Sequence, residues 1–361
     1  MRTLFIIFCA LVLLIILAFV LFRIHNSLKS KIDTDTGIQE NNYVTIGGIE
    51  QYMQIRGEDR NNPIILWLHG GPGFPLTYLN YYYQTDLEND YTIVSWEQRG
   101  CGRTYYRNES VDIINIEQMI ADTDEIIDYL RERFGQKKII IIGQSWGTVL
   151  GMNYINIHPE KVAAYVGVGQ VTNFKQGKIY AAECARKKAI DSGNDKDADL
   201  LGYGIEQLTT TDSIEKLDTK SLEKMIAVSM KYLKCDGEMS GIEQIFSAIT
   251  SPEMLWDDAK WFLYASNTQN IISSQNSLVE YMYFRFDIRD FANQYNIPIC
   301  FVQGDSDWIT PTDMVADYFQ TITLEQKEII IIKNAGHTPF LDNPEQFCEV
   351  VKNFLSKCEN E

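Results

Sequence analysis

Apolar residues along the chain fall into short runs separated by turn residues and amphipathic stretches. Residues 43–49 and 51–56 flank Gly47-Gly48 and predict a meandering antiparallel edge. Residues 64–68 form an apolar run that ends at His69-Gly70-Gly71-Pro72-Gly73, and residues 91–96 form another that ends at Glu97-Gln98-Arg99-Gly100. Residues 116–134 carry the period of an amphipathic helix. The β-branched run at 137–142 has the character of a buried parallel strand, and 148–157 returns to helical spacing. Residues 162–168 predict another buried strand. Alternation of this kind predicts an α/β fold, a mostly parallel sheet with helices on both faces.

The alternation stops after Gln170. Residues 171–290 read as helices with breaks, rich in large aromatics, with a polar stretch at 191–199. The strand pattern resumes at Ile297, followed by a helix from Pro311, a strand at 329–332 and a helix at 344–357. The expected organisation is therefore a core formed by 43–170 and 291–361, interrupted by a helical cap insertion at 171–290. Ahead of it, residues 4–22 are unbroken apolar sequence. As a helix they would extend ~28 Å, close to the ~30 Å hydrocarbon core of a bilayer. A cleaved signal peptide is the rival, but its apolar region usually runs to about 7–15 residues, and no small-x-small cleavage site follows. We expect an uncleaved transmembrane helix at 4–22 and a polar linker at 23–42.

Composition narrows the partners. A hydrophobic content of 45% and a charged content of 22% are those of a globular protein. The formal net charge of −17 disfavours nucleic acid and anionic lipid surfaces, and no basic patch offsets it. The cysteines are scattered without metal spacing or a disulfide framework, so free thiols are expected.

Gly143-Gln144-Ser145-Trp146-Gly147 stands between a predicted buried strand and a helix. A serine on that sharp turn projects its hydroxyl at the top of the sheet, and the glycines permit close backbone approach. A serine hydroxyl needs a base. Of the four histidines, His25 lies in the linker, His158 at a helix end and His69 in the glycine-rich turn. His337, after the last strand, remains as the base. An acid must hold the imidazole in one tautomer. Asp305 and Asp307 follow the preceding strand; Asp305 sits where it would cap the turn, so Asp307, further out, is preferred. Chain order Ser–Asp–His suits this architecture. Backbone N–H groups of Gly71 and Trp146 are the expected oxyanion donors. No metal site is expected.

Together these residues resemble the proline iminopeptidase branch of the α/β-hydrolases. The family's HGGPG matches 69–73, its G-Q-S-W-G matches 143–147, and its G-x-x-D matches Gly304 to Asp307. Its D-Q-R-G-x-G-x-S box is approximated by 97–104, with Glu97 and Thr104 departing from it while keeping chemical type; we read this box as structural. The resemblance implies a serine aminopeptidase that removes an N-terminal residue, often proline, from short peptides without metal or organic cofactor. In that family a cap glutamate binds the substrate's amine, and Glu280 in Glu280-Tyr281-Met282-Tyr283-Phe284 resembles it; a surface helix glutamate is the alternative. A carboxylesterase or lipase on the same fold and a non-catalytic binding module are the competing functions.

Overall fold

The computed structural model describes residues 1–108, 114–291 and 295–358. Eight strands form one sheet in the order β1-β2-β4-β3-β5-β6-β7-β8. They are β1 (Ile38–Ile46), β2 (Ile49–Gly57), β3 (Ile64–Leu68), β4 (Thr92–Trp96), β5 (Ile139–Gln144), β6 (Val162–Val168), β7 (Ile299–Gly304) and β8 (Lys327–Ile332). Strands β1 and β2 pair antiparallel, and β2 joins β4 antiparallel; every other pairing is parallel. Alternate residues of one strand enter different apolar clusters. Ile64, Leu66 and Leu68 join one, and Ile65 and Trp67 the other, so both faces of the sheet are buried. That double burial is why the central strands read as continuous apolar runs.

The helix Ile116–Phe134 begins at Asn115, whose side chain accepts the Gln118 N–H, and ends at Gly135 in the left-handed region. Both are ordinary terminators of a helix. Between β6 and β7 the chain builds helices, including Phe174–Asp191, Asp195–Thr210, Thr219–Tyr232, Gly241–Ile249, Trp256–Ala265 and Asn276–Phe284. Several share a separate apolar cluster around Leu201, Leu222 and Met225. The expected boundary at 290/291 abuts residues 292–294, which lie outside the described residues.

The expected linker at 23–42 is not one. The N-terminal helix runs Arg2–Lys29, and β1 already begins at Ile38. Two polar side chains of that stretch are bonded to the body. Arg23 donates to Pro252 O at 3.2 Å and Met254 O at 2.9 Å, and Asn26 donates to Thr250 O at 3.1 Å. Residues 38–46 alternate in exposure and pair with β2 along their whole length. The helix is long and apolar enough to cross a membrane, and its most apolar stretch is unburied.

Candidate active site

Strand order reverses between β3, which pairs with β4 on one side, and β5 on the other. Ligands of open α/β sheets bind outside the carboxyl ends of strands at such a switch point. Ser145 stands at the end of β5, with φ 52° and ψ −114°, in backbone that a residue with a side chain rarely adopts. Its N–H donates to Val168 O at 2.9 Å, at the end of β6. The turn is possible because Gly147 packs on the exit of β3; a Cβ there would fall 2.0 Å from Leu68 O and 2.9 Å from His69 O.

Asp307 and His337 follow β7 and β8 on the same edge. His337 Nδ1 donates to Asp307 Oδ2 at 2.9 Å. The second carboxylate oxygen accepts the N–H groups of Ile309 at 2.9 Å and Thr310 at 3.0 Å, while the Thr310 hydroxyl donates to Oδ2 at 2.7 Å. Burial alone would raise this carboxyl, but the His337 imidazole and these hydrogen bonds hold it below the usual carboxylate range. The competing Asp305 caps its turn, accepting the Asn334 N–H at 3.0 Å. Gly304 lets the two loops meet: a Cβ on it would lie 2.2 Å from both Ala335 O and Gly336 O. The imidazole rests on Gly169, where a Cβ would come 2.9 Å from its Cε1. Gly169 is next to Val168, which holds Ser145, so the imidazole and the serine share one corner of the sheet edge. No hydrogen bond joins the Ser145 hydroxyl to His337 among the described residues.

The His69–Gly73 turn leaves β3 beside the start of the helix Trp146–Ile157. Neither the Gly71 nor the Trp146 N–H donates a hydrogen bond among the described residues. His69 itself is buried, and burial lowers it to about 4, so it is neutral. Its Nε2 accepts the Gln98 N–H at 3.2 Å, and Nδ1 lies 2.8 Å from Gly70 O. The 97–104 box is tied up in structure. Arg99 pairs with Asp122 at 2.8 Å, Gln98 accepts the Trp146 indole N–H at 3.0 Å, and Arg103 pairs with Asp258 of the insertion at 2.7 Å.

Among the described residues, no hydrogen bond or ion pair brings Glu280 to this group. Its carboxylate accepts the Ile214 N–H at 2.7 Å and pairs with Arg285 at 3.2 Å, both partners lying within the insertion. Another acid stands closer. Glu238 lies against the loop carrying His337, its Oε1 3.2 Å from where a Cβ on Gly336 would be. Burial raises its carboxyl, Asp342 adds to this, and the His337 imidazole opposes it. Asp342 clamps the two loops together, accepting the N–H groups of Met239 and Gly336, each at 2.8 Å. Lys178, on the helix Phe174–Asp191, is also drawn in; burial lowers its ammonium to about 8 while Asp307 opposes the shift. Glu238, Thr310 and Lys178 carry no local sequence signal. Only the Asp236-Gly237-Glu238-Met239 turn, an acidic, glycine-containing loop within the helical stretch, could have drawn attention to the first.

A family model described as the α/β-hydrolase fold matches residues 63–344. The chain is 26% identical over 309 residues to a probable aminopeptidase, YbaC, of Bacillus subtilis (strain 168), covering 85% of this chain and 93% of that one. Among solved structures it is similar to a proline iminopeptidase-related protein of Thermus thermophilus, with a TM-score of 0.60, 18% identity, and coverage of 88% and 98% of the two chains. It is also similar to the esterase RhEst1 of a Rhodococcus species, with a TM-score of 0.55, 16% identity, and coverage of 89% and 98%.

Proposed function

Because the chain belongs to the α/β-hydrolase family, we propose that it is a serine aminopeptidase releasing N-terminal residues, proline or similar, from short peptides. The observation that carries this reading is the His337–Asp307 hydrogen bond, resting on Gly169 beside the strand end that holds Ser145. Ser145 Oγ attacks the carbonyl carbon while His337 Nε2 takes the hydroxyl proton. Asp307 keeps the imidazole in the required tautomer and stabilises its protonated form. The free N–H groups of Gly71 and Trp146 receive the oxyanion. The imidazolium then protonates the leaving amine as the acyl-enzyme forms, and water, deprotonated by His337, releases the product. Catalytic hydrogen bonds often close only with substrate present, which accommodates the lack of a Ser145–His337 hydrogen bond among the described residues.

For the substrate's amine we favour Glu238 over Glu280, since Arg285 and Ile214 already occupy the latter's carboxylate. A carboxylate facing a protonated amine supplies charge-assisted hydrogen bonds. The test compares prolyl and alanyl arylamides with short acyl esters and amine-blocked arylamides. We expect free-amine arylamides to be preferred, and Glu238→Gln to raise KM for them while leaving ester hydrolysis unchanged. A preference for esters that ignores both Glu238→Gln and Glu280→Gln would instead establish the esterase reading, which the likeness to RhEst1 keeps in view.

The N-terminal helix is proposed as a retained membrane anchor. A cleaved leader would leave the Pro252, Met254 and Thr250 carbonyls without the Arg23 and Asn26 donors they now have. N-terminal sequencing of the mature protein tests this: a start beyond Arg23 would contradict it.

A further inference from the structure

The helices Gly241–Ile249 and Trp256–Ala265 present large apolar side chains that the proposed chemistry does not use. Ile242 is 82% exposed, Trp256 75% and Leu263 71%, and Phe246 and Phe262 are exposed beside them. A shallow cavity of about 330 Å³ runs between the helices, walled by Ile245, Ala248, Ile249, Ala259, Phe262 and Leu263. A contiguous apolar face of this kind marks a contact surface, not a scatter of ordinary exposed residues.

Its position names the partner. The Phe246 ring lies 6.0 Å from Phe19 and 5.3 Å from Phe22, the last aromatics of the apolar N-terminal run. Arg23, the first charge after that run, donates to Pro252 O and Met254 O in the segment joining the two helices. The exposed face is therefore continuous with the surface of the N-terminal helix, at the level where its apolar run gives way to charge. With that helix spanning a bilayer, Arg23 stands at the headgroup boundary, and Phe246 stands beside side chains already among acyl chains.

We propose that Gly241–Ile249 and Trp256–Ala265 dip into the interfacial layer of the same bilayer, giving the body a second membrane contact beside its anchor; this rests on the anchor reading above. Interfacial helices bury their apolar faces about 5–10 Å into the boundary between headgroups and acyl chains. The net charge of −17 leaves apolar burial, not attraction to anionic lipid, to hold the contact, so a zwitterionic surface suffices.

The test reconstitutes the full chain into phosphatidylcholine vesicles and reads Trp256 as the difference in emission between the wild type and Trp256→Phe. Lipid brominated on the upper acyl chain should remove most of that difference signal. A tryptophan introduced by Tyr203→Trp, on another helix of the insertion, should keep its emission. Adding anionic lipid should not strengthen the quenching. If the chain floats with vesicles through an alkaline wash but Trp256 ignores bromine, the second contact is overturned while the anchor stands. Blue-shifted Trp256 emission that bromine leaves alone overturns it too, and indicates cover by protein, such as a second copy. Quenching in a chain that the alkaline wash strips off removes the anchor, and with it the second contact proposed beside it. A chain that never floats overturns both.

Discussion

At the scale of single residues, the proposed chemistry depends on a carboxyl that is buried yet ionised. Burial alone would raise Asp307, but the His337 imidazole and the Thr310 N–H and hydroxyl hold it low. Asp307→Asn keeps the shape but offers its amide to the wrong tautomer, and kcat should fall by about 10⁴ with KM little changed. Steady-state kinetics on a free-amine arylamide measure this; a drop below tenfold would remove Asp307 from the scheme. His69 makes a different prediction. Burial lowers it to about 4, so the unfolded chain takes up a proton below pH ~6.5 that the folded chain refuses. Its contribution to stability is therefore fully present above pH ~6.5 and is lost as pH falls towards 4, up to roughly 3 kcal/mol in all. Urea midpoints of wild type and His69→Gln across this range should differ in slope, and parallel curves would refute the assignment. That Ser145, Asp307 and His337 each follow the end of a strand was legible in the sequence, because those strands are recognisable apolar runs; their catalytic roles are the proposal. The place of Glu238 was not legible. It reaches the His337 loop only because Gly237 packs on Asn334, where a Cβ would fall 2.0 Å from the Asn334 carbonyl, a contact made across the fold.

At the scale of elements, the sheet edge works by close approach. Gly147 faces the Leu68 carbonyl with no room for a methyl group. Gly147→Ala must push the helix Trp146–Ile157 off β3, and should cost about 3 kcal/mol or more along with the alignment of the Trp146 N–H. Gly135→Ala, with left-handed backbone but open space around it, should cost only about 1 kcal/mol. Thermal and urea unfolding of the pair check the contrast, and equal losses would contradict it. Arg103 ties core to insertion, pairing with Asp258 and donating to Glu253 O at 2.7 Å. Arg103→Met leaves buried Asp258 unpaired and should destabilise by about 3–5 kcal/mol, read as a lowered urea midpoint. Helix Ile116–Phe134 and strand β6 matched their expected bounds because amphipathic period and β-branched burial are local signals. Strand β1 was partly missed, since an edge strand with alternate residues exposed carries many polar side chains and resembles a linker.

At the scale of the whole molecule, the parallel arrangement of β3, β5, β6, β7 and β8 brings residues more than a hundred positions apart to one edge. The mostly parallel sheet and its interruption by helices were readable from the alternation of patterns. The docking of the N-terminal helix on the segment 250–254 was not, because it depends on carbonyls whose availability no sequence pattern records. The most direct measurement is peptide mass spectrometry of the full chain after reaction with a fluorophosphonate. A nucleophile activated by His337 should carry the adduct on Ser145, and His337→Ala should abolish the labelling while the chain stays folded. An adduct on a different serine, or none from a preparation that still hydrolyses its substrate, would contradict the account.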